Sequence, residues 1–106
     1  MYLTPDAVDA LFAFVRSLPA GSEIAFTFAG PEANEGAAAA FSAMAAEVGE
    51  PWLSRFDPDI LVSKLTSAGF TRVHLLDRDE LVVRYFTGRA DGLPPPRGRR
   101  IGSAMV

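Results

Sequence analysis

The segment from Glu23 to Ala29 constrains the fold of this chain more than any other. Its sequence, EIAFTFA, is apolar at both odd and even positions, and Gly30-Pro31 ends the run. A strand with one face in water alternates polar and apolar residues, whereas a strand covered on both faces, as in a parallel sheet, does not. The pattern therefore predicts a strand in the interior of a sheet rather than at an edge open to water.

Helices and short strands surround this segment, and their ends are marked in the sequence. Thr4-Pro5 is typical of a helix start, as is Asp57-Pro58, while Asp77 and Glu80 form a pattern like a capping box. The predicted helices cover residues 5–18, 34–48, 58–68 and 79–86, and the predicted strands cover residues 23–29, 71–76 and 100–106. This alternation predicts one α/β domain over residues 1–106. Because the chain offers only three strands, it does not supply the neighbour expected beside 23–29.

Composition excludes several classes of partner. The chain has 106 residues, no Cys and a net charge of -3, so it has no general attraction to nucleic acid or to an anionic membrane. No apolar run approaches the roughly 18 residues of a membrane span. The first residues lack the layout of a signal peptide, and the absence of Cys fits a reducing compartment. We expect a cytoplasmic protein.

Three pieces of the chain, taken together, carry a resemblance to a known family. They are Met1-Tyr2-Leu3-Thr4-Pro5, the run PWLSRF at 51–56 followed by Asp57-Pro58 and Gly69-Phe70, and Arg84-Tyr85-Phe86 followed by GRADGL at 88–93. In this order and spacing they resemble the leucine carboxyl methyltransferase-like family, in particular its bacterial S-adenosylmethionine-dependent O-methyltransferases. The resemblance covers nearly the whole chain but only about the second half of the family's domain. It implies a partial Rossmann-like methyltransferase fold with flanking helices, of which this chain holds the last three strands, the terminal one antiparallel.

The resemblance implies S-adenosylmethionine as cofactor of the intact family, yet the residues that would hold it are missing. Dinucleotide-type folds bind their cofactor at a Gly-rich turn between a strand and a helix, with an acid after the second strand. The runs GRADG at 88–92 and GRRIG at 98–102 have neither the spacing nor the position of such a turn. We therefore expect that this chain alone binds no cofactor and is catalytically silent.

Tyr2 is a candidate substrate-binding residue. In the carboxyl methyltransferases that the chain resembles, a Tyr in this motif faces the substrate carboxyl, to which its hydroxyl can donate a hydrogen bond. The alternative is a terminal residue that packs against the edge of the core.

A second group of candidates precedes the helix that begins near residue 58. Trp52, Ser54 and Arg55 are predicted to line a substrate pocket, with Arg55 pairing a carboxylate through two hydrogen bonds. The alternative is a loop anchored by its aromatic residues, in which Arg55 pairs with Asp57 or Asp59.

The other polar residues have structural interpretations. His74 lies in a predicted strand with no nucleophile or ligand set beside it in the sequence, so we predict no catalytic residue and no metal site. The remaining clusters are predicted to tie the last helix and loop to the sheet and to place charge before the final strand: Arg84, Tyr85, Arg89 and Asp91, and Arg97, Arg99 and Arg100.

Two functions of different classes follow. The first is the acceptor-side, C-terminal part of an S-adenosylmethionine-dependent O-methyltransferase that acts on a small molecule or a carboxylate. The second is a non-enzymatic remnant that dimerises, or binds a partner, through the exposed edge of strand 23–29. In either case we expect a homodimer, or the missing N-terminal half, to pair at that edge. Met1 falls where the family has an internal Met, so a truncated chain or a misplaced start codon also stays open.

Overall fold

The computed structural model describes residues 3–31, 36–51, 55–96 and 98–106, which form a mixed α/β structure. Three strands and four helices follow one another in the predicted order, with boundaries that differ from the prediction by a few residues. In chain order the elements are α1 (Pro5–Arg16), β1 (Glu23–Ala29), α2 (Gly36–Glu47), α3 (Pro58–Ser67), β2 (Thr71–Leu75), α4 (Arg78–Leu81) with a π-helical continuation (Val82–Phe86), and β3 (Arg99–Met105).

The helices begin at the capping residues that the sequence indicates. The Thr4 hydroxyl accepts a hydrogen bond from the Ala7 N–H at 3.2 Å before α1. The Asp57 carboxylate accepts backbone N–H groups at the start of α3. Asp77 and Glu80 form a complete capping box before α4. Each of these side chains satisfies backbone donors that a helix start leaves open.

The sheet has the order β1-β3-β2, and β3 runs antiparallel to both neighbours. Since β3 lies between them, β1 and β2 run in the same direction. The β1–β3 pairing is regular from Glu23 opposite Met105 to Ala29 opposite Arg99. The β2–β3 pairing contains an irregularity between Thr71 and His74. The prediction of a terminal antiparallel strand is therefore confirmed.

The core lies on one face of this sheet, beneath α1 and α3. Its buried members come from α1, α3, β1, β3 and the residue before β2: Val8, Phe12, Val15, Phe28, Leu61, Leu65, Phe70 and Ala104. Two contacts outside the core also join α1 to α3 and to the turn that follows it. Lys64 Nζ of α3 lies 2.6 Å from Asp9 Oδ1 of α1, and Arg16 Nε donates to the Gly69 carbonyl at 3.0 Å.

Gly102 allows side chains of the two outer strands to meet over the central one. A Cβ at this position would lie 2.6 Å from Cδ2 of Leu75 and 2.8 Å from Cζ of Phe26. Phe26 belongs to β1 and Leu75 to β2, so the absence of a side chain on β3 lets both strands contribute to one core.

Among the described residues β1 is an edge strand, as expected of a chain that does not supply its neighbour. The predicted cover on both faces, typical of a parallel sheet, is wrong, because β1 pairs antiparallel and is covered on one face. Ile24, Phe26 and Phe28 face the core, whereas Ala25 and Thr27 are exposed on the opposite face. The reason is side-chain size. All the large apolar residues of the run stand at even positions, and the odd positions carry little apolar surface that needs burial.

The Ala-rich helix is confirmed, but its predicted apolar face is not covered by the described part of the chain. Phe41, Met44 and Val48 are 62%, 60% and 75% exposed. None of the helices that the structure describes is long and apolar enough to cross a membrane.

Candidate functional site

Of the predicted substrate-binding residues, the structure describes only Arg55. Tyr2, Trp52 and Ser54 lie outside the described residues. Arg55 is half-buried, and its Nη2 donates a hydrogen bond to Ser42 Oγ at 2.9 Å, so it joins the segment before α3 to α2. Its predicted pairing with a substrate carboxylate stays a prediction.

An open apolar groove runs between α1 and the outer side of β1. Its volume is about 100 Å³, and Leu3 and Phe56 stand among its walls. The remaining lining residues belong to α1, β1 and α3: Val8, Leu11, Phe12, Ile24, Phe26, Thr27, Phe28, Ala29 and Leu61. Phe56 follows Arg55 in the sequence, so the groove lies beside the segment that carries this predicted substrate-binding residue.

The chemistry of the groove is that of a binding surface. Apart from Thr27, the described residues that line it have hydrocarbon side chains, and none of them is an acid, a base or a thiol. Such a surface can accept an apolar group of a ligand or a side chain of another segment. It cannot by itself move a proton.

The hydrogen bonds at the two ends of β1 fix which of its backbone groups point outward. Gly30 N–H donates to the Gly98 carbonyl at 2.9 Å, and Val106 N–H donates to the Ser22 carbonyl at 2.8 Å. In an antiparallel pair, successive residues direct their N–H and C=O groups alternately toward the partner strand and away from it. The even-numbered residues of β1 therefore bond to β3, and the odd-numbered residues face outward.

One of these outward residues already has a partner. The Ala29 carbonyl accepts a hydrogen bond from Phe56 N–H at 2.9 Å, which closes that end of the edge. The N–H and C=O groups of Glu23, Ala25 and Thr27 face outward with no strand beside them in the described ranges. These three residues define what we term the open edge of β1.

The flank of α1 nearest this edge carries a second apolar stripe. It consists of Leu11 and Phe14 of α1 and Leu18 just beyond the end of the helix, which are 43%, 65% and 38% exposed. Asp9, on the other flank, is paired with Lys64 of α3. The stripe therefore lies on the flank away from α3, and its member Leu11 lines the groove between α1 and β1. The sequence already indicates this stripe, because Leu11, Phe14 and Leu18 widen the apolar face of the first helix beyond the residues that enter the core.

The Arg89 cluster has the geometry of a structural tie. Arg89 Nε and Nη2 bond to the two Asp91 oxygens at 2.9 and 2.5 Å, and the guanidinium lies 5.7 Å from the centre of the Phe86 ring. The guanidinium, with the Leu93 N–H as a second donor, holds the pKa of the Asp91 carboxyl below its usual value. The same pairing raises the pKa of Arg89. The cluster fixes the loop after the π-helical turn.

The other candidate polar residues are not gathered into one site. His74 is exposed, with Nε2 3.8 Å from Glu80 Oε2, and the side chains of Arg84 and Tyr85 are exposed as well. Arg99 is exposed and Arg100 half-buried on β3, while Arg97 lies outside the described residues. Within the described ranges, no group of three or more His, Cys, Asp or Glu residues could hold a metal ion.

Comparison with known proteins gives no assignment. No family model, no curated protein and no solved structure matches this chain.

Proposed function

We propose that this chain is the acceptor-side, C-terminal part of an S-adenosylmethionine-dependent O-methyltransferase acting on a small molecule or a carboxylate. The observation that carries the proposal is the order β1-β3-β2 with an open edge on β1. The resemblance in sequence implies a partial Rossmann-like sheet of this kind, with an antiparallel final strand and further strands on one side. An open edge on β1 is what such a sheet leaves when those strands belong to a separate part of the enzyme.

The groove is the proposed acceptor side of the site. It includes Ala29, the last residue of β1, and ligands of open α/β sheets bind beyond the carboxyl ends of the strands. Its apolar walls would hold the body of the acceptor, and Arg55 would pair with a carboxylate. Enzymes of this class gain much of their rate by aligning the acceptor with the sulfonium methyl group, so holding the acceptor is the contribution expected of this half.

The residues present do not fit S-adenosylmethionine itself. The connection from β1 to α2, GPEANEG at 30–36, lacks the spacing of the phosphate-binding or cofactor-binding turns. Gly88 and Gly92, which have a left-handed backbone, lie in the loop after the π-helical turn rather than between a strand and a helix. The methyl donor would be held outside this chain, and the chain would be silent alone.

Titration calorimetry with S-adenosylmethionine and S-adenosylhomocysteine tests this function. The chain alone should give no binding heat. A separately produced N-terminal half of a leucine carboxyl methyltransferase-like protein should bind the chain, and the mixture should then bind either compound. Ala25→Pro provides the control, because it removes an outward N–H without breaking a bond to β3. Micromolar binding by the chain alone, or no complex with the added half, would contradict the proposal.

A second candidate function is a non-enzymatic module that associates through the open edge of β1. The backbone groups of Glu23, Ala25 and Thr27, which no strand of the described ranges pairs, favour it, together with the exposed stripe beside them. Light scattering across a wide concentration range tests this function. A monomer at every concentration would contradict it.

A further inference from the structure

We propose that the occupant of the open edge is a second copy of this chain, paired antiparallel about a two-fold axis that passes through Ala25. This inference rests on the second candidate function and names its partner. The result would be a continuous sheet of order β2-β3-β1-β1-β3-β2, with α1 of each copy on the same face.

The outward backbone groups select this register. An axis at Ala25 pairs Ala25 with Ala25 of the second copy and Glu23 with Thr27 of the second copy. Every N–H and C=O of the open edge then has a partner, which gives about six backbone hydrogen bonds between the copies.

The neighbouring registers are each opposed by a specific group. An axis at Thr27 would place Ala29 opposite Ala25, but the Ala29 carbonyl is already bonded to Phe56 N–H. An axis at Glu23 would place two Glu23 carboxylates directly opposite each other, and like charges at opposed positions are destabilising. The register at Ala25 instead sets each carboxylate beside a Thr hydroxyl that can donate to it.

The apolar stripe on α1 supports the same arrangement. A two-fold axis perpendicular to the sheet keeps the core-facing sides of the two β1 strands on one face, so Ile24 comes opposite Phe26 of the second copy. The α1 helices lie on this face, and their Leu11, Phe14 and Leu18 stripes, which lie on the flank away from α3, would then face each other. One contact would cover the edge, the stripe and the mouth of the groove.

The other edge of the sheet favours a closed dimer over a growing chain of copies. Pairing β1 of one copy with β2 of the next would produce an open-ended assembly. However, the β2 pairing is irregular between Thr71 and His74, and Arg72 has a left-handed backbone with φ of 49°. Irregular, charged edges of this kind resist strand addition. The self-pairing of β1 is the contact that remains.

Single cysteines test the register directly, because the chain contains no Cys of its own. In the proposed dimer the Cα atoms of Ala25 and its copy are about 5.5 Å apart, within the span of a disulfide. Thr27 is the matched control, since it is exposed on the same edge but would lie about 14 Å from its copy. Under mild oxidation, Ala25→Cys should give at least tenfold more covalent dimer than Thr27→Cys on a non-reducing gel.

A charge variant tests the interface without covalent chemistry. Ala25→Lys places two ammonium groups at the axis and should weaken dimerisation at least tenfold in sedimentation equilibrium. Ala10→Lys, an equally exposed change on the outer side of α1, should leave it unchanged. Circular dichroism of both variants confirms that they are folded.

The outcomes separate the inference from the function on which it rests. A dimer whose Thr27→Cys form cross-links better than Ala25→Cys, or one indifferent to Ala25→Lys, overturns the proposed register while leaving edge association in place. A wild-type chain that stays monomeric at high concentration overturns both. Capture of only an added methyltransferase half, with no self-association, assigns the edge to that partner and overturns the second copy as occupant.

Discussion

The two edges of the sheet differ in length, regularity and charge. The β1 edge is a regular strand from Glu23 to Ala29, and its central outward residues are Ala25 and Thr27. The β2 edge is shorter, its pairing is irregular, and it carries Arg72 with a left-handed backbone. Both β1 and β2 pair with the same central strand, β3. The differences in length, regularity and charge therefore belong to the outer strands themselves.

This contrast indicates which edge is protected against strand addition. Proteins protect true edges with short strands, bulges and charged residues, because an open ladder of N–H and C=O groups pairs with other chains. The β2 edge has all three devices, and the open edge of β1 has only Glu23 at one end. The methyltransferase proposal and the dimer proposal are two ways of completing the same edge.

The largest predicted effect comes from the residue that joins the two edges. Gly102→Val would drive a side chain into Leu75 and Phe26, so we expect the free energy of unfolding to fall by about 3 kcal/mol. Urea denaturation measures this loss. Ser103→Val, the next residue along β3 and on the opposite face, should cost less than about 1 kcal/mol. Equal costs for the two variants would mean that β1 and β2 do not meet over Gly102.

A smaller effect is expected beside the β2 edge. Asp77→Ala removes the N-cap of α4 and frees Glu80 from the capping box, so it should destabilise the protein by about 1 kcal/mol. Asp79→Ala, in the same turn but without a capping bond, is the control and should lower the free energy of unfolding by only a few tenths of a kcal/mol. Denaturant unfolding of both variants measures the two losses of stability. Equal losses would contradict a capping role for Asp77.

The left-handed residue of β2 should give a gain in stability. Arg72→Gly relieves the strain of a side chain at φ of 49°, and we expect the free energy of unfolding to rise by about 0.5 to 1 kcal/mol. Arg72→Ala removes the charge but keeps the strain, so it should give no gain. If Gly and Ala had the same effect, the irregularity in β2 would not be a strained position.

The smallest effect is expected in the loop between α4 and β3, which lies on neither edge. Because the pKa of Asp91 is lowered by Arg89, its contribution to stability is present above the unfolded pKa of about 3.9 and is lost as the pH falls through the folded value. Arg89→Gln should raise the Asp91 pKa toward that ordinary value, as followed by NMR titration of the carboxyl group. An unchanged titration in the variant would contradict the ion pair.

The sequence predicts the elements of this fold better than their arrangement. Thr4, Asp57 and Asp77 mark helix starts through local hydrogen bonds, which depend only on residues a few positions away. The antiparallel pairing of β1 with β3 joins segments far apart in the chain, so a short stretch of sequence does not indicate it. The lack of polar and apolar alternation from Glu23 to Ala29 wrongly indicates cover on both faces. Ala25 and Thr27 count as apolar or neutral, but they are much smaller than the residues beside them.

The candidate site is predicted only through resemblance. The sequence suggests that Arg55 pairs with an acid of its own segment or with a substrate, and these stay predictions. The hydrogen bond from Arg55 to Ser42 of α2 is a long-range contact that the sequence does not indicate. The groove itself arises where α1 passes over β1, so it depends on long-range packing. The sequence pattern that best indicates the groove is the spacing of Leu11, Phe14 and Leu18 next to the core residues of α1.

Amide hydrogen exchange of β1, followed residue by residue by NMR, tests most directly whether its open edge takes up another strand. In dilute samples Phe26 and Phe28 should exchange slowly and Ala25 and Thr27 quickly, because only the even-numbered N–H groups are bonded to β3. At high concentration, or with an added methyltransferase half, Ala25 and Thr27 should become as slow as their neighbours. If the alternation persists under every condition, β1 is a solvent-facing end of the sheet, and neither a second copy nor a methyltransferase half completes it.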